Sequence, residues 1–268
     1  MRICQIDLSP TQLDGAPVAD ALARAAALGF DHVLLAGWPV LHAQGAALAQ
    51  AVAACGAHGL SCLLELALDR YPEGSAGLDP GWREPAGLAA DLRDTDNHLP
   101  GVRLRWHDPH TASALVPWWE DRLRTPVAAG IAGFVCRAPA RVAGRHWAAL
   151  IAGARRAAPG RSVAFLAWTP GLGPTQLDDL REGGFDGAFC SLPWWDYRSA
   201  WLTEEIARLR PLARCWLRRR WTAQAPTCWP RAARYGPRPP SATACWCRPA
   251  SRPAATARAR RPTTCPMR

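Results

Sequence analysis

The sequence predicts an α/β protein: an incomplete (β/α)8 TIM-type barrel of about six β–α units, followed by a C-terminal tail outside the barrel. Three observations carry that prediction. Short apolar runs alternate with longer alanine-rich amphipathic stretches at a spacing of about 30 residues, the rhythm of parallel β–α units. The rhythm breaks once, over about residues 71–125, and then resumes. At residue 214 the composition changes abruptly and the rhythm stops.

Each element follows from its residues. Arg2–Leu8 (RICQIDL) is an apolar run with a polar exit and reads as a strand; after a Ser-Pro break, Ala16–Leu28 reads as its helix. Asp31–Trp38 (DHVLLAGW) and Leu60–Leu68 (LSCLLELAL) are buried-type strands flanking a helix over Leu41–His58. Arg70–Thr125, rich in Pro, Gly, Asp and Trp, is an excursion from the scaffold. The rhythm restarts with strands at Gly130–Cys136, Ser162–Trp168 and Phe185–Ser191 and helices at Arg141–Ala157, Pro174–Glu182 and Tyr197–Leu209. A doubly wound sheet would also suit six units, but the turn after the first run (SPTQLDG) carries no G-x-G-x-x-G, and no phosphate-binding loop follows elsewhere. The barrel is favoured by the insertion after the third unit and by polar and aromatic residues at the strand exits.

Composition sets bounds on function. The chain has 268 residues, 49% of them hydrophobic and 20% charged, which excludes collagen-like, mucin-like and coiled-coil readings and supplies one sizeable core. With no apolar run of roughly 18 residues and no basic-then-apolar start, the expectation is a soluble, cytoplasmic chain without a membrane partner. The net charge of +10 resembles a nucleic-acid footprint until it is divided. Residues 214–268 hold 13 of the 32 basic residues and none of the 22 acidic ones, so residues 1–213 carry 19 basic against 22 acidic, a net −3.

Two domains are therefore expected, 1–213 and 214–268. The second contains no Val, Ile, Phe, Asp or Glu and a single Leu. A basic arm stacking Trp216, Trp221, Trp229 and Trp246 on bases would explain its arginines and tryptophans. A metal site is disfavoured because its five cysteines include one C-x-C pair and no histidine accompanies them. The abrupt switch to Arg, Pro, Ala, Cys and Trp fits GC-rich DNA translated out of frame best, and on that reading the segment is disordered or carries no function.

Within 1–213, Cys4, Cys55, Cys62, Cys136 and Cys190 fall in apolar runs and read as small buried thiols. Trp118 and Trp119 read as packing residues of the excursion. His107, Asp108 and His110 lie in a Pro-broken loop with no further ligand at helical spacing, so no metal and no cofactor is expected.

The segments GIAGF at 130–134, RVAGRHWAALI at 141–151, FLAWTPG at 165–171 and GFDGAFCSLPWWDYRSAWLTEE at 184–205 resemble the α-amylase superfamily, glycoside hydrolase family 13. The resemblance is closest to the amylase-type modules of α-1,4-glucan:maltose-1-phosphate maltosyltransferases, and FDHVLLAGWP at 30–39 and HGLSCLLELALDR at 58–70 fit its second and third strands. It implies a carboxylate nucleophile at the end of strand four and a carboxylic acid at the end of strand five. One attacks or stabilises the oxocarbenium-like centre; the other protonates the leaving oxygen. The strand-four pattern G-F-R-x-D is matched here by Gly133, Phe134, Val135, Cys136 and Arg137, and the strand-five A-E-T by Ala167, Trp168 and Thr169.

Arg137 thus stands at the nucleophile position and Trp168 at the acid position. A guanidinium is no nucleophile at neutral pH, and an indole donates no proton to a leaving group. The resemblance therefore implies a catalytically degenerate module. Its remaining role would be to bind α-glucan or maltooligosaccharide, or to scaffold an adjoining maltosyltransferase domain. The binding candidates are Trp168, Arg137, Trp194, Trp195 and Asp196 at the strand exits, with Glu65 and Asp69 as further rim carboxylates. Aromatic faces stack on pyranose C–H faces while charged groups bond the hydroxyls. Active α-glucan transfer or hydrolysis through Glu65, Asp69 or Asp196 is the enzymatic alternative, and nucleic-acid binding through the tail is the second.

Overall fold

The computed structural model describes residues 1–7, 16–36, 45–72, 77–85, 101–192 and 195–216. Trp194 and the segment from residue 217 onward lie outside them, and with them most of the basic tail.

The first two units are β1 (Ile3–Asp7), α1 (Ala16–Ala27), β2 (His32–Ala36) and α2 (Gly45–Ala57). The third strand, β3 (Ser61–Leu66), leads into a two-stranded antiparallel ribbon of β4 (Arg70–Tyr71) and β5 (Val102–Arg103), followed by α3 (Pro109–Ala128). Then come β6 (Gly133–Cys136), α4 (Gly144–Arg156), β7 (Ala164–Trp168), α5 (Pro174–Leu180), β8 (Gly187–Phe189), α6 (Trp201–Leu209) and β9 (Arg214–Trp216). The main sheet runs β1-β2-β3-β6-β7-β8-β9, every neighbouring pair parallel, and curls into a half-barrel with helices on its convex side. The incomplete barrel and its six β–α units are as the sequence predicts.

Two features differ from the pattern reading. The excursion contains a twenty-residue helix, α3, which packs against α4 in the outer layer and so serves as the helix of the third unit. Pro117 and Pro126 lie inside it and obscure its periodicity; Asp108 begins it, accepting hydrogen bonds from Thr111 N–H at 2.8 Å and from the Thr111 hydroxyl at 2.5 Å. The sheet also continues past residue 213, with Arg214–Trp216 pairing along β8 in parallel. Backbone groups at a free strand edge accept a partner of almost any side-chain composition, so composition gave no sign of this strand.

Strand alternation divides the core in two. Ile3, Leu34, Leu63, Val135, Leu166 and Phe189, one from each of six strands, fill the concave face. Their neighbours Cys4, Ile6, Val33, Leu35, Cys62, Leu64, Phe134, Phe165 and Ala188 point outward into the helix layer, where Leu48, Leu115, Leu123, Trp147 and Leu150 cover them. The free thiols Cys4, Cys55, Cys62, Cys136 and Cys190 are all buried, as their apolar runs imply. Trp119 is 1% exposed, and Trp118 anchors the excursion through its indole N–H to Gly77 O at 3.0 Å and edge contacts with Tyr71 and Trp82.

Gly133 is required where β6 passes β7. A Cβ at this position would lie 2.2 Å from the carbonyl oxygen of Ala164, and that oxygen belongs to backbone that cannot turn aside.

Candidate functional site

All strands of the main sheet are parallel, so their carboxyl ends open on one rim, the end at which barrels of this kind carry their sites. At that rim β6 ends in Cys136 and the chain continues as Arg137, whose backbone N–H extends the ladder to Leu66 O at 2.7 Å. Cys136 is paired with Ala167, which sets Arg137 beside Trp168 on the same face. The guanidinium carbon lies 4.6 Å from the centroid of the Trp168 ring. Trp168 in turn packs on Phe189 of β8, with ring centroids 5.4 Å apart.

Cation, indole and phenyl therefore form a row across three adjacent strands. Arg137 is 8% exposed, and a guanidinium tolerates that burial because it is weakly hydrated and stacks flat on an aromatic face. Trp168 is half-buried, and its indole is backed by the concave apolar cluster. The following residue, Thr169, is buried and donates its hydroxyl to Phe189 O, tying the exits of β7 and β8 together. Ala138, next after Arg137, takes a left-handed conformation with φ of 44°, costing roughly 1 kcal/mol for a residue with a Cβ, and turns the chain sharply off the strand.

The remaining candidates are distributed differently. Glu65 stands opposite Val135 in the β3–β6 register, so it shares the concave face with Arg137 and Trp168 but belongs to the layer beneath them. It is half-buried and makes no hydrogen bond or ion pair with the described residues. Asp69 is 3% exposed and lies 3.4 Å from Arg70 Nε, while its backbone oxygen accepts from Leu104 N–H. It belongs to the root of the excursion ribbon. Trp195 and Asp196 lie in the loop between β8 and α6, where Trp195 packs on the helix-side core. The Asp196 carboxylate accepts from the Arg198 and Ser199 N–H groups at 3.0 and 2.9 Å and from the Ser199 hydroxyl at 2.6 Å. These bonds, the Ser199 hydroxyl first, hold its pKa down to about 2. Structure thus brings Arg137 and Trp168 into contact, places Glu65 below them, pairs Asp69 with Arg70, and holds Trp195 and Asp196 in the loop before α6.

Sequence reasoning overlooked three residues here. Phe189 underlies Trp168, and its alternation within Phe185–Ser191 carried that signal. Glu205 of α6 clamps the β8 exit by accepting from Ser191 N–H at 3.1 and 3.0 Å and from its hydroxyl at 2.7 Å, a long-range contact with no sequence signature. Tyr197, in the same loop, is 75% exposed with φ of 62°; the helical pattern drawn through Tyr197–Leu209 concealed it, since the helix begins at Trp201.

Among the described residues no group of three or more His, Cys, Asp or Glu side chains is placed to hold a metal, and no helix is long and apolar enough to cross a membrane.

The curled parallel sheet and its outer helices make the fold an incomplete (β/α) barrel of the α-amylase type. Comparison with known proteins agrees. Over 217 residues, 70% of its length, the chain is 32% identical to the alpha-1,4-glucan:maltose-1-phosphate maltosyltransferase of Burkholderia pseudomallei (strain K96243). It spans 19% of that protein. The α-amylase of Malbranchea cinnamomea superposes with a TM-score of 0.53 at 13% identity, over 79% of this chain and 58% of that one. The maltogenic α-amylase AmyB of Thermotoga neapolitana gives 0.51 at 12% identity, over 74% and 51%. No family model matches the chain.

Proposed function

We propose that the chain is a catalytically inactive α-glucan-binding module of a maltosyltransferase-like protein, with the Arg137–Trp168 pair as its sugar platform. The observation that supports this reading is the contact itself, a guanidinium 4.6 Å over an indole, at the two positions where the family resemblance implies the nucleophile and the acid. Glycosyl transfer requires a carboxylate at each. The pair supplies instead a fixed cation and an aromatic plane, suited to the hydroxyl edge and the C–H face of a pyranose. Maltosyltransferase and α-amylase relatives make an α-1,4-glucan or maltooligosaccharide the ligand to test first.

Isothermal titration with maltoheptaose tests it. Binding without release of smaller sugars, weakened by both Trp168→Ala and Arg137→Met, supports the reading; undiminished binding by both variants overturns it. Turnover by the native chain would favour the enzymatic alternative, for which Glu65 is the candidate because it faces the concave side unpaired among the described residues. Glu65→Gln would then abolish turnover. Segment 217–268 lies outside the described residues, and reading codons 205–225 in three frames tests whether its composition reflects a shifted frame.

A further inference from the structure

We infer that the loop between β8 and α6 carries a second α-glucan contact, an external aromatic platform formed by Tyr197 against Trp195. The inference rests on the glucan-binding reading and extends it to a surface separate from the Arg137–Trp168 pair.

The described residues of the loop are tied down by hydrogen bonds on both sides of Tyr197. Its start is fixed where Ser191 is clamped by Glu205 of α6. Trp195 N–H donates to Leu192 O at 3.1 Å, and its indole N–H donates to Ser199 O at 2.7 Å, which fixes both the backbone and the ring. Asp196 closes the turn through Arg198 and Ser199. Between these fixed points Tyr197 adopts a left-handed backbone, which a residue with a Cβ takes only where its surroundings impose it.

That conformation delivers the phenol to solvent. Tyr197 is 75% exposed, while its ring centroid stays 4.9 Å from that of Trp195 at an interplanar angle of 44°. Trp195 is half-buried against the helix-side core, whereas Trp168 is backed by the concave cluster. Two aromatic surfaces therefore have two different supports, both near the carboxyl ends of the parallel strands.

Its surroundings select a sugar over a protein partner. Among the described residues the large hydrophobic side chains left exposed are Leu28 and Tyr197, and no other exposed large apolar side chain accompanies the phenol among the described residues of this loop. What flanks it is polar: Asp196, Arg198 and Ser199 are all exposed. One aromatic face edged by a carboxylate, a guanidinium and a hydroxyl matches a pyranose, whose C–H face is apolar and whose rim is hydroxyl.

The test compares retention on amylose in native affinity gels with maltoheptaose titration, using the full chain. Tyr197→Asn removes the ring while keeping a residue tolerant of the left-handed backbone, and Tyr197→Phe keeps the stacking face. An aromatic stacking contribution of ordinary size predicts that Tyr197→Asn weakens amylose retention about three- to tenfold and that Tyr197→Phe retains it. In a Trp168→Ala background the effect of Tyr197→Asn persists. Native retention by Tyr197→Asn, with loss by Trp168→Ala, overturns the loop platform and leaves the Arg137–Trp168 reading standing. Loss by Tyr197→Asn with native retention by Trp168→Ala does the reverse. No retention by the native chain overturns both.

Discussion

The guanidinium of Arg137 lies 4.6 Å above the ring of Trp168, joining the ends of two neighbouring strands by a cation–aromatic contact. The indole is backed by the concave apolar cluster, and the guanidinium lies over its face.

A contact of that geometry, 8% exposed at the cation, should contribute toward the upper end of the usual range. A double-mutant cycle of Arg137→Met and Trp168→Leu, followed by urea unfolding, is expected to return a coupling of about 1–2 kcal/mol. A coupling near zero would show that the two side chains merely lie side by side.

Gly133→Ala should be poorly tolerated. The added Cβ meets the Ala164 carbonyl at 2.2 Å, so β6 and β7 must separate at the centre of the sheet. The expected loss is about 3 kcal/mol or more in denaturant unfolding, whereas Gly56→Ala, in helix α2 with nothing within 4 Å of the new atom, should gain about 0.5–1 kcal/mol.

His146 makes stability depend on pH. Its ring stacks on Trp106 at 5.6 Å, and its Nε2 is buried with no hydrogen-bond partner among the described residues. Burial, aided by the Arg145 charge and opposed by Asp179, pushes its pKa below 6.5. The unfolded chain therefore binds the proton more readily, and the stability that neutral His146 contributes is present above pH 6.5 and falls as pH drops from 6.5 to its folded value. Thermal melts across pH 7.5–5 should fall more steeply for the native chain than for His146→Leu; parallel curves would refute this.

Asp196 should remain ionised far into acid. With its carboxylate held by Ser199 and Arg198, a pKa of about 2 predicts that the loop keeps its conformation through pH 3.8, and that the contribution of these bonds disappears between about 3.8 and about 2. Carboxyl carbon NMR shifts would follow this titration, and Ser199→Ala should move its midpoint upward.

The five buried thiols should resist alkylation. Burial raises Cys4 to about 11 and Cys136 well above its ordinary value, leaving those two little thiolate at neutral pH, while Cys55, which the Cys62 hydrogen bond shifts downward, is protected by its burial alone. Iodoacetamide mapping should show Cys4, Cys55, Cys62, Cys136 and Cys190 labelled only after unfolding; rapid labelling of Cys136 in the native protein would contradict its placement.

Much of this fold was legible in the sequence because parallel strands buried on both faces leave continuous apolar runs such as VLLA in β2 and AFLAW in β7, and amphipathic helices announce themselves by period. Helix α3 was less legible because two prolines and a polar opening broke that period. The brief strand β9 was invisible because its pairing is a backbone affair.

The site divides along the same line. Sequence by itself determined that Arg137 and Trp168 end successive strands of the resumed rhythm, and that neither can perform acid–base or nucleophilic work, since those are properties of residue type. Tertiary structure alone decided that the two touch, that Glu65 lies beneath them, that Asp69 is drawn into an ion pair with Arg70, and that Tyr197 is held outward on a hydrogen-bonded turn. Register, loop closure and side-chain packing join residues far apart in the chain, and no local pattern records which of several strand-end residues will meet.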